Sequence, residues 1–140
     1  VSRYLLDTNV ISELRRARPD PHVVAWAEGL SSADLWLSVL TVGEIHQGIV
    51  RLARRDPSQA AVLARWLDGL ERGFADRILP VTPAVARRWA ELNSVRSLPV
   101  VDSLIAATAL ETDAVLVTRN IRDLDGIGVT LLDPFTPRGG

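Results

Sequence analysis

What most constrains the fold of this chain is an alternation. Short apolar runs of β character, at Tyr4–Asp7, Leu35–Ser38, Ile78–Pro80, Ala114–Thr118 and Thr130–Leu132, are separated by longer stretches with helical spacing. Those stretches cover Asn9–Arg16, His22–Leu30, Thr41 to about Arg54, Pro57 to about Phe74, Thr82–Asn93 and Val100–Thr112. Prolines punctuate them: Pro19 and Pro21 break the first helical pattern, Pro57 opens a later one, and Leu98-Pro99 divides the last two. Strands separated by helices argue for a parallel sheet covered on both faces, an α/β sandwich. With 140 residues and no repeat, low-complexity tract or dividing linker, we expect one domain over 1–140. Ligands in that architecture sit at the carboxyl ends of the strands. Asp7 and Thr118 lie at such ends.

Absent residue types narrow the chemistry. There is no cysteine, which excludes a disulfide framework, thiolate metal sites and cysteine nucleophiles. There is no lysine either, and all sixteen cationic side chains are arginine. A Walker P-loop and Schiff-base chemistry are thereby closed. With no methionine present, we expect an initiator removed or decoded from an alternative start codon. The formal charge of −1 gives no whole-molecule field to draw in nucleic acid, so local arginines or metal ions must do so. No run approaches the roughly 20 apolar residues of a membrane span, and no basic-then-apolar signal segment opens the chain. We therefore expect a cytoplasmic protein that does not engage a membrane.

Most of the seventeen acidic residues fall in polar turns or on solvated helix positions. Three resist that reading. Asp7 ends the first strand, where it serves equally well as a helix N-cap or as a ligand. Glu44 stands three residues after Thr41, a capping-box spacing that predicts Thr41 as the N-cap. Yet Gly48 follows one turn later, at a cost of about 1 kcal/mol in a helix interior, and a bare backbone beside a carboxylate suggests close approach by something. Asp102 opens the helical stripe that continues through Ile105, Ala106 and Ala109, a small-residue face expected to pack inward. A carboxylate on that face must be paired or metal-bound. The alternatives for it are a salt bridge to arginine or a ligand role.

One strand-end aspartate and two helix carboxylates form the oxygen-rich cluster that suits a hard divalent cation. Mg²⁺ or Mn²⁺ fits best, since neither cysteine nor a spaced histidine pair offers itself to zinc. After the fourth strand, VTRNIRDLDG adds Thr118, Asn120 and Asp123 to the polar groups available. A metal so held supports hydrolysis of phosphodiesters. The two histidines read as structural. Trp26 and Trp66, on helices, are candidates for a dimer or partner surface.

Four blocks then match a known family. LLDTNVISEL, LSVLTVGEIHQG, VVDSLIAATAL and LVTRNIRDLDGIGV resemble, in order and separation, the blocks of a PIN domain. The flavour is similar to the VapC-type toxins of bacterial type II toxin–antitoxin pairs, including the FitB-like group. The resemblance spans Tyr4 to about Pro134. It implies an α/β/α sandwich around a central parallel sheet of four to five strands. It also implies a ribonuclease dependent on Mg²⁺ or Mn²⁺ that leaves 5′-phosphate and 3′-hydroxyl ends. The family's strongest acidic positions fall on Asp7, Glu44 and Asp102, and its polar residues match Thr118 and Thr8. A fourth acid is found in some relatives where this chain has Asn120 and in others at Asp123. We take Asp123 as the acid and Asn120 as a neutral or water-mediated contact. A VapB-like antitoxin and a homodimer are the partners implied. Its apolar segment is expected along the early helices, around Val10–Leu14 and Val23–Leu30, with a cationic side chain reaching the carboxylates.

Rival folds fit less well. A phospho-receiver domain relies on a lysine after its last strand. A haloacid-dehalogenase-like phosphatase needs a second aspartate where Asn9 stands, and a lysine as well. The serious alternative is a PIN domain that is catalytically weak or inactive and acts as a binding module with an antitoxin-like, DNA-binding partner.

Overall fold

The computed structural model describes residues 3–136. Five short strands, β1 (Tyr4–Leu6), β2 (Leu35–Ser38), β3 (Ile78–Leu79), β4 (Val115–Val117) and β5 (Leu131–Leu132), form one sheet. Every pairing is parallel and the spatial order is β3-β2-β1-β4-β5. Seven α-helices accompany it: α1 (Thr8–Arg15), α2 (Pro21–Glu28), α3 (Val39–Ala53), α4 (Pro57–Gly73), α5 (Pro83–Val95), α6 (Val100–Glu111) and α7 (Ile121–Leu124). The expected sandwich and parallel sheet are present, with five strands. Among the described residues no helix is long and apolar enough to cross a membrane.

The two-residue period of the strands sends their side chains into two cores, one on each face of the sheet, while a third cluster, Ile49, Ala60 and Leu67, packs between α3 and α4. Leu5 and Leu116 point to the face covered by α6 and α7, where Ile105, Ala106, Ala109 and Leu124 meet them. Leu6, Leu37 and Val117 point to the other face, against Val10, Ile11, Val23 and Trp26 of α1 and α2. The alanines of α6 let that helix lie close to the sheet; Ala106, Ala107 and Ala109 are fully buried. Just past the helix's C-cap, Thr112, Asp113 takes the left-handed region, φ 54°, with the Ala114 N–H donating to the Ala109 carbonyl, 2.8 Å. An aspartate tolerates that conformation, and the turn feeds the chain directly into β4.

Several element ends differ from the sequence reading. α3 begins at Val39, and its N-cap is Ser38, whose hydroxyl accepts from the Leu40 N–H at 3.0 Å. Thr41 is therefore inside the helix and the capping box with Glu44 does not form. The reason is that β2 ends on Ser38 in register with Leu79, and the chain turns into helix at once. The four-residue α7 was not anticipated. The early-helix residues expected to face a partner, Val10, Ile11, Val23 and Trp26, are instead core residues. Trp26 packs edge-to-face on Tyr4, ring centroids 5.6 Å apart, so it is not a surface residue.

Candidate active site

Strand order creates the site. From β1 the connections run one way to β2 and β3, and β4 with β5 lies on the other side, so the sheet has its switch point between β1 and β4. A crevice opens at the carboxyl ends of such a pair. Leu6 is in register with Val117, which sets the next residues, Asp7 and Thr118, side by side. Both are buried.

Asp7 combines the two roles left open for it. As the N-cap of α1 its Oδ1 accepts from the Thr8 N–H at 2.8 Å. Its Oδ2 accepts from the Thr118 hydroxyl at 2.8 Å and from Asn9 Nδ2 at 3.3 Å. Burial raises its pKa above the ordinary 3.8, Thr118 and Thr8 oppose that through their hydrogen bonds, and the charges of Asp102 and Glu44 raise it further. The upward direction wins. A carboxyl that also caps a helix remains close to two others from remote parts of the chain.

Glu44, half-buried on the second turn of α3, accepts at Oε1 from the Thr8 hydroxyl, 2.6 Å. Thr8 Oγ1 also lies 3.3 Å from the buried Thr41 hydroxyl, so α1 and α3 meet at this point. Asp102 stands in the first turn of α6 and accepts at Oδ2 from Asn120 Nδ2, 3.0 Å. No ion pair involves it among the described residues. Its pKa is raised, first by burial and then by the charge of Asp123, against the Asn120 hydrogen bond. The turn that carries Asp102 is anchored from α5: Ser103 Oγ accepts from Trp89 Nε1 at 3.0 Å and from Asn93 Nδ2 at 3.3 Å.

Asp7, Thr8, Asn9, Glu44, Asp102, Arg119 and Asn120 line one open pocket. The three expected carboxylates, with Thr8 and Asn120, thus share it, and Thr118 supports it from beneath. Asp123 does not line the pocket; it is exposed on α7, near enough for its charge to act on Asp102. Two residues of the pocket were not singled out from the sequence. Asn9 bridges Asp7 and Thr118 and accepts from the Arg119 N–H at 3.2 Å. Arg119 supplies the pocket's cation. The signal for Asn9 was its place in Asp7-Thr8-Asn9, one residue into a helix whose N-terminus faces the crevice.

The donor set is all oxygen, which is the chemistry of a hard divalent cation. Among the described residues, however, no three His, Cys, Asp or Glu side chains close in tightly enough to enclose a bare ion. Mg²⁺ commonly keeps several of its waters and takes one or two carboxylates directly, so an open pocket with three carboxylates on its walls fits a hydrated ion.

Comparison with known proteins agrees with this geometry. The PIN domain family matches residues 4–128. The chain is 33% identical to Toxin FitB of Neisseria gonorrhoeae over 136 residues, covering 94% of this chain and 97% of that protein. It is 33% identical over 139 residues to a VapC ribonuclease, Y4jK, of Sinorhizobium fredii, covering 95% and 98%. Its fold superposes on the crystal structure of FitAcB from Neisseria gonorrhoeae with a TM-score of 0.87 at 34% identity, covering 94% of this chain and 98% of that one.

Proposed function

The chain belongs to the PIN-domain family, and on that premise we propose that it is a divalent-metal-dependent endoribonuclease, the toxin of a type II toxin–antitoxin pair. The observation that carries this reading is the meeting of Asp7, Glu44 and Asp102, from three separate elements, around one crevice at the switch point of the sheet. Asp7, Glu44 and Asp102 would hold hydrated Mg²⁺ or Mn²⁺. When bound, such an ion makes water acidic enough to attack a phosphodiester near neutral pH and offsets charge building on the phosphate.

The chain's own residues prepare that chemistry. Thr118 and Asn9 fix the Asp7 carboxylate, Thr8 fixes Glu44, and Asn120 fixes Asp102. Each carboxylate therefore keeps a defined orientation and leaves acceptor capacity toward the pocket. Water adds to phosphorus, the bond to the 3′-oxygen breaks, and that oxygen takes up a proton, giving 5′-phosphate and 3′-hydroxyl ends. We assign Asp123 to the outer rim of this site, where it acts on Asp102 by charge.

An antitoxin is part of the same proposal; the FitAcB structure is the relative's precedent. Its docking segment would lie in the cleft between α1, α3 and α4, walled by Ser12, Arg15, Gly48, Leu52 and Trp66 and continuous with Glu44. Gly48 is exposed there, and beyond its chain neighbours and the backbone of its own helix no atom lies within 4 Å of the place a Cβ would take, which leaves room for the close approach its sequence position suggested. A homodimer and a cytoplasmic setting complete the reading.

A second reading, a PIN domain that binds without cutting, is favoured by the looseness of the three carboxylates. Purified protein incubated with single-stranded RNA separates the two. We expect cleavage in Mg²⁺ or Mn²⁺, arrest in EDTA, and saturable Mg²⁺ binding by calorimetry. Full activity in chelator would sink the metal mechanism, and no cleavage with no Mg²⁺ binding would favour the second reading.

A further inference from the structure

Arg119 is the one cation among the seven residues lining the acidic pocket. Its backbone N–H donates to Asn9 Oδ1, so its Cα belongs to the frame that holds Asp7 whatever the side chain does. The side chain is exposed and lies over the Phe135 ring, guanidinium carbon 4.1 Å from the centroid. Arginine on an aromatic face is common, and three further pairs occur among the described residues. In two of those the guanidinium is committed to folding: Arg3 donates to the Thr112 carbonyl, and Arg77 to the carbonyls of Ser32, Leu35 and Gly73. Arg119 makes no side-chain hydrogen bond or ion pair with any described residue. It lines the acidic pocket, and its donors have no partner among the described residues.

Resting on the ribonuclease reading, we propose that Arg119 binds a non-bridging phosphate oxygen of the RNA strand at the edge of the acidic centre, with Phe135 as the platform that holds its guanidinium there. The need is electrostatic. Three carboxylates line a pocket that must admit a polyanion, and the chain's net charge of −1 supplies no general attraction. A guanidinium stays charged at every relevant pH and presents paired N–H donors that match a phosphate. The Phe135 N–H donates to Asp133 Oδ1 at 2.9 Å, which fixes the turn that bears the platform.

Steady-state cleavage of a fluorescently labelled, mixed-sequence single-stranded RNA in Mg²⁺ tests this with wild type, Arg119→Gln, Arg119→Lys and Phe135→Leu, each checked by thermal melting. Loss of one charge-assisted contact predicts an Arg119→Gln KM raised about tenfold with kcat nearly kept, partial recovery in Arg119→Lys, and an intermediate KM for Phe135→Leu. Unchanged KM in Arg119→Gln would overturn the proposal while leaving the ribonuclease reading intact. So would a fall in kcat alone that lysine does not recover, since that marks a purely structural arginine. A wild type that cuts no RNA in Mg²⁺ would overturn both.

Discussion

Asp7 and Asp102 have raised pKa values because the fold buries them beside other carboxylates, and this has a consequence for stability. The folded protein holds these protons to higher pH than the unfolded chain, whose value is near 3.8. Their favourable contribution is therefore complete below that pH and is lost as pH rises through the raised values, leaving the metal-free fold penalised at neutral pH. Divalent metal held as proposed, by the deprotonated carboxylates, would remove the penalty. Thermal melts should show Mg²⁺ raising Tm most at neutral pH, the gain vanishing on acidification through the raised carboxyl values; a gain independent of pH would place the ion elsewhere. Asp102→Asn should abolish cleavage while melting at or above the wild-type temperature without metal, and it should gain less from Mg²⁺. A structural ion pair would predict the reverse, at a cost of about 3–5 kcal/mol. No such pair exists at Asp102 among the described residues, where Asn120 is its partner.

At the scale of elements, α3 shows how a sound sequence pattern loses to strand geometry. Thr41-Val42-Gly43-Glu44 satisfies the capping-box spacing, yet Ser38, where β2 ends, takes the cap three residues earlier and frees Glu44 for the pocket. Ser38→Ala should then cost about 1 kcal/mol in urea unfolding. Thr41→Val, which loses only the 3.3 Å contact to Thr8, should cost less; the opposite ranking would restore the Thr41 cap. The other long helices and all five strands were legible because their apolar periods run over enough residues or between clear turn signals. The four residues of α7 are too few to show a period. Strand order was hidden as well: Leu5, Leu37 and Leu116 look alike in sequence, and only packing tells which strand is central. The acidic trio stood out because Asp7 ends a strand, Glu44 is followed one turn on by a bare Gly48, and Asp102 opens a small-residue face. Asn9 and Arg119 did not stand out in this way, so their part in the pocket emerged only with the fold.

For the molecule as a whole, sixteen arginines are offset by seventeen acids, so any hold on RNA must be local. RNA affinity measured by fluorescence anisotropy should fall only gently with salt, with a slope of log K against log salt no steeper than about −2, equivalent to about three phosphates on a single strand. A steep slope would reveal a basic surface that the charge balance argues against. The architecture supports the local view. Two cores, one on each face of the sheet, brace the strand ends from which the crevice opens.

The central place of β1 sets a timetable for biosynthesis. The ribosome makes Asp7 well before its neighbours across the crevice, Asp102 and Asn120, which ride on α6 and the segment after β4. At roughly 5–20 residues per second, many seconds separate the first carboxylate from the residues that complete the pocket. Until then the nascent chain carries the ingredients of a nuclease without being one. On the proposed ribonuclease reading, the nascent chain therefore cannot cut RNA until Asp102 and Asn120 have joined the crevice.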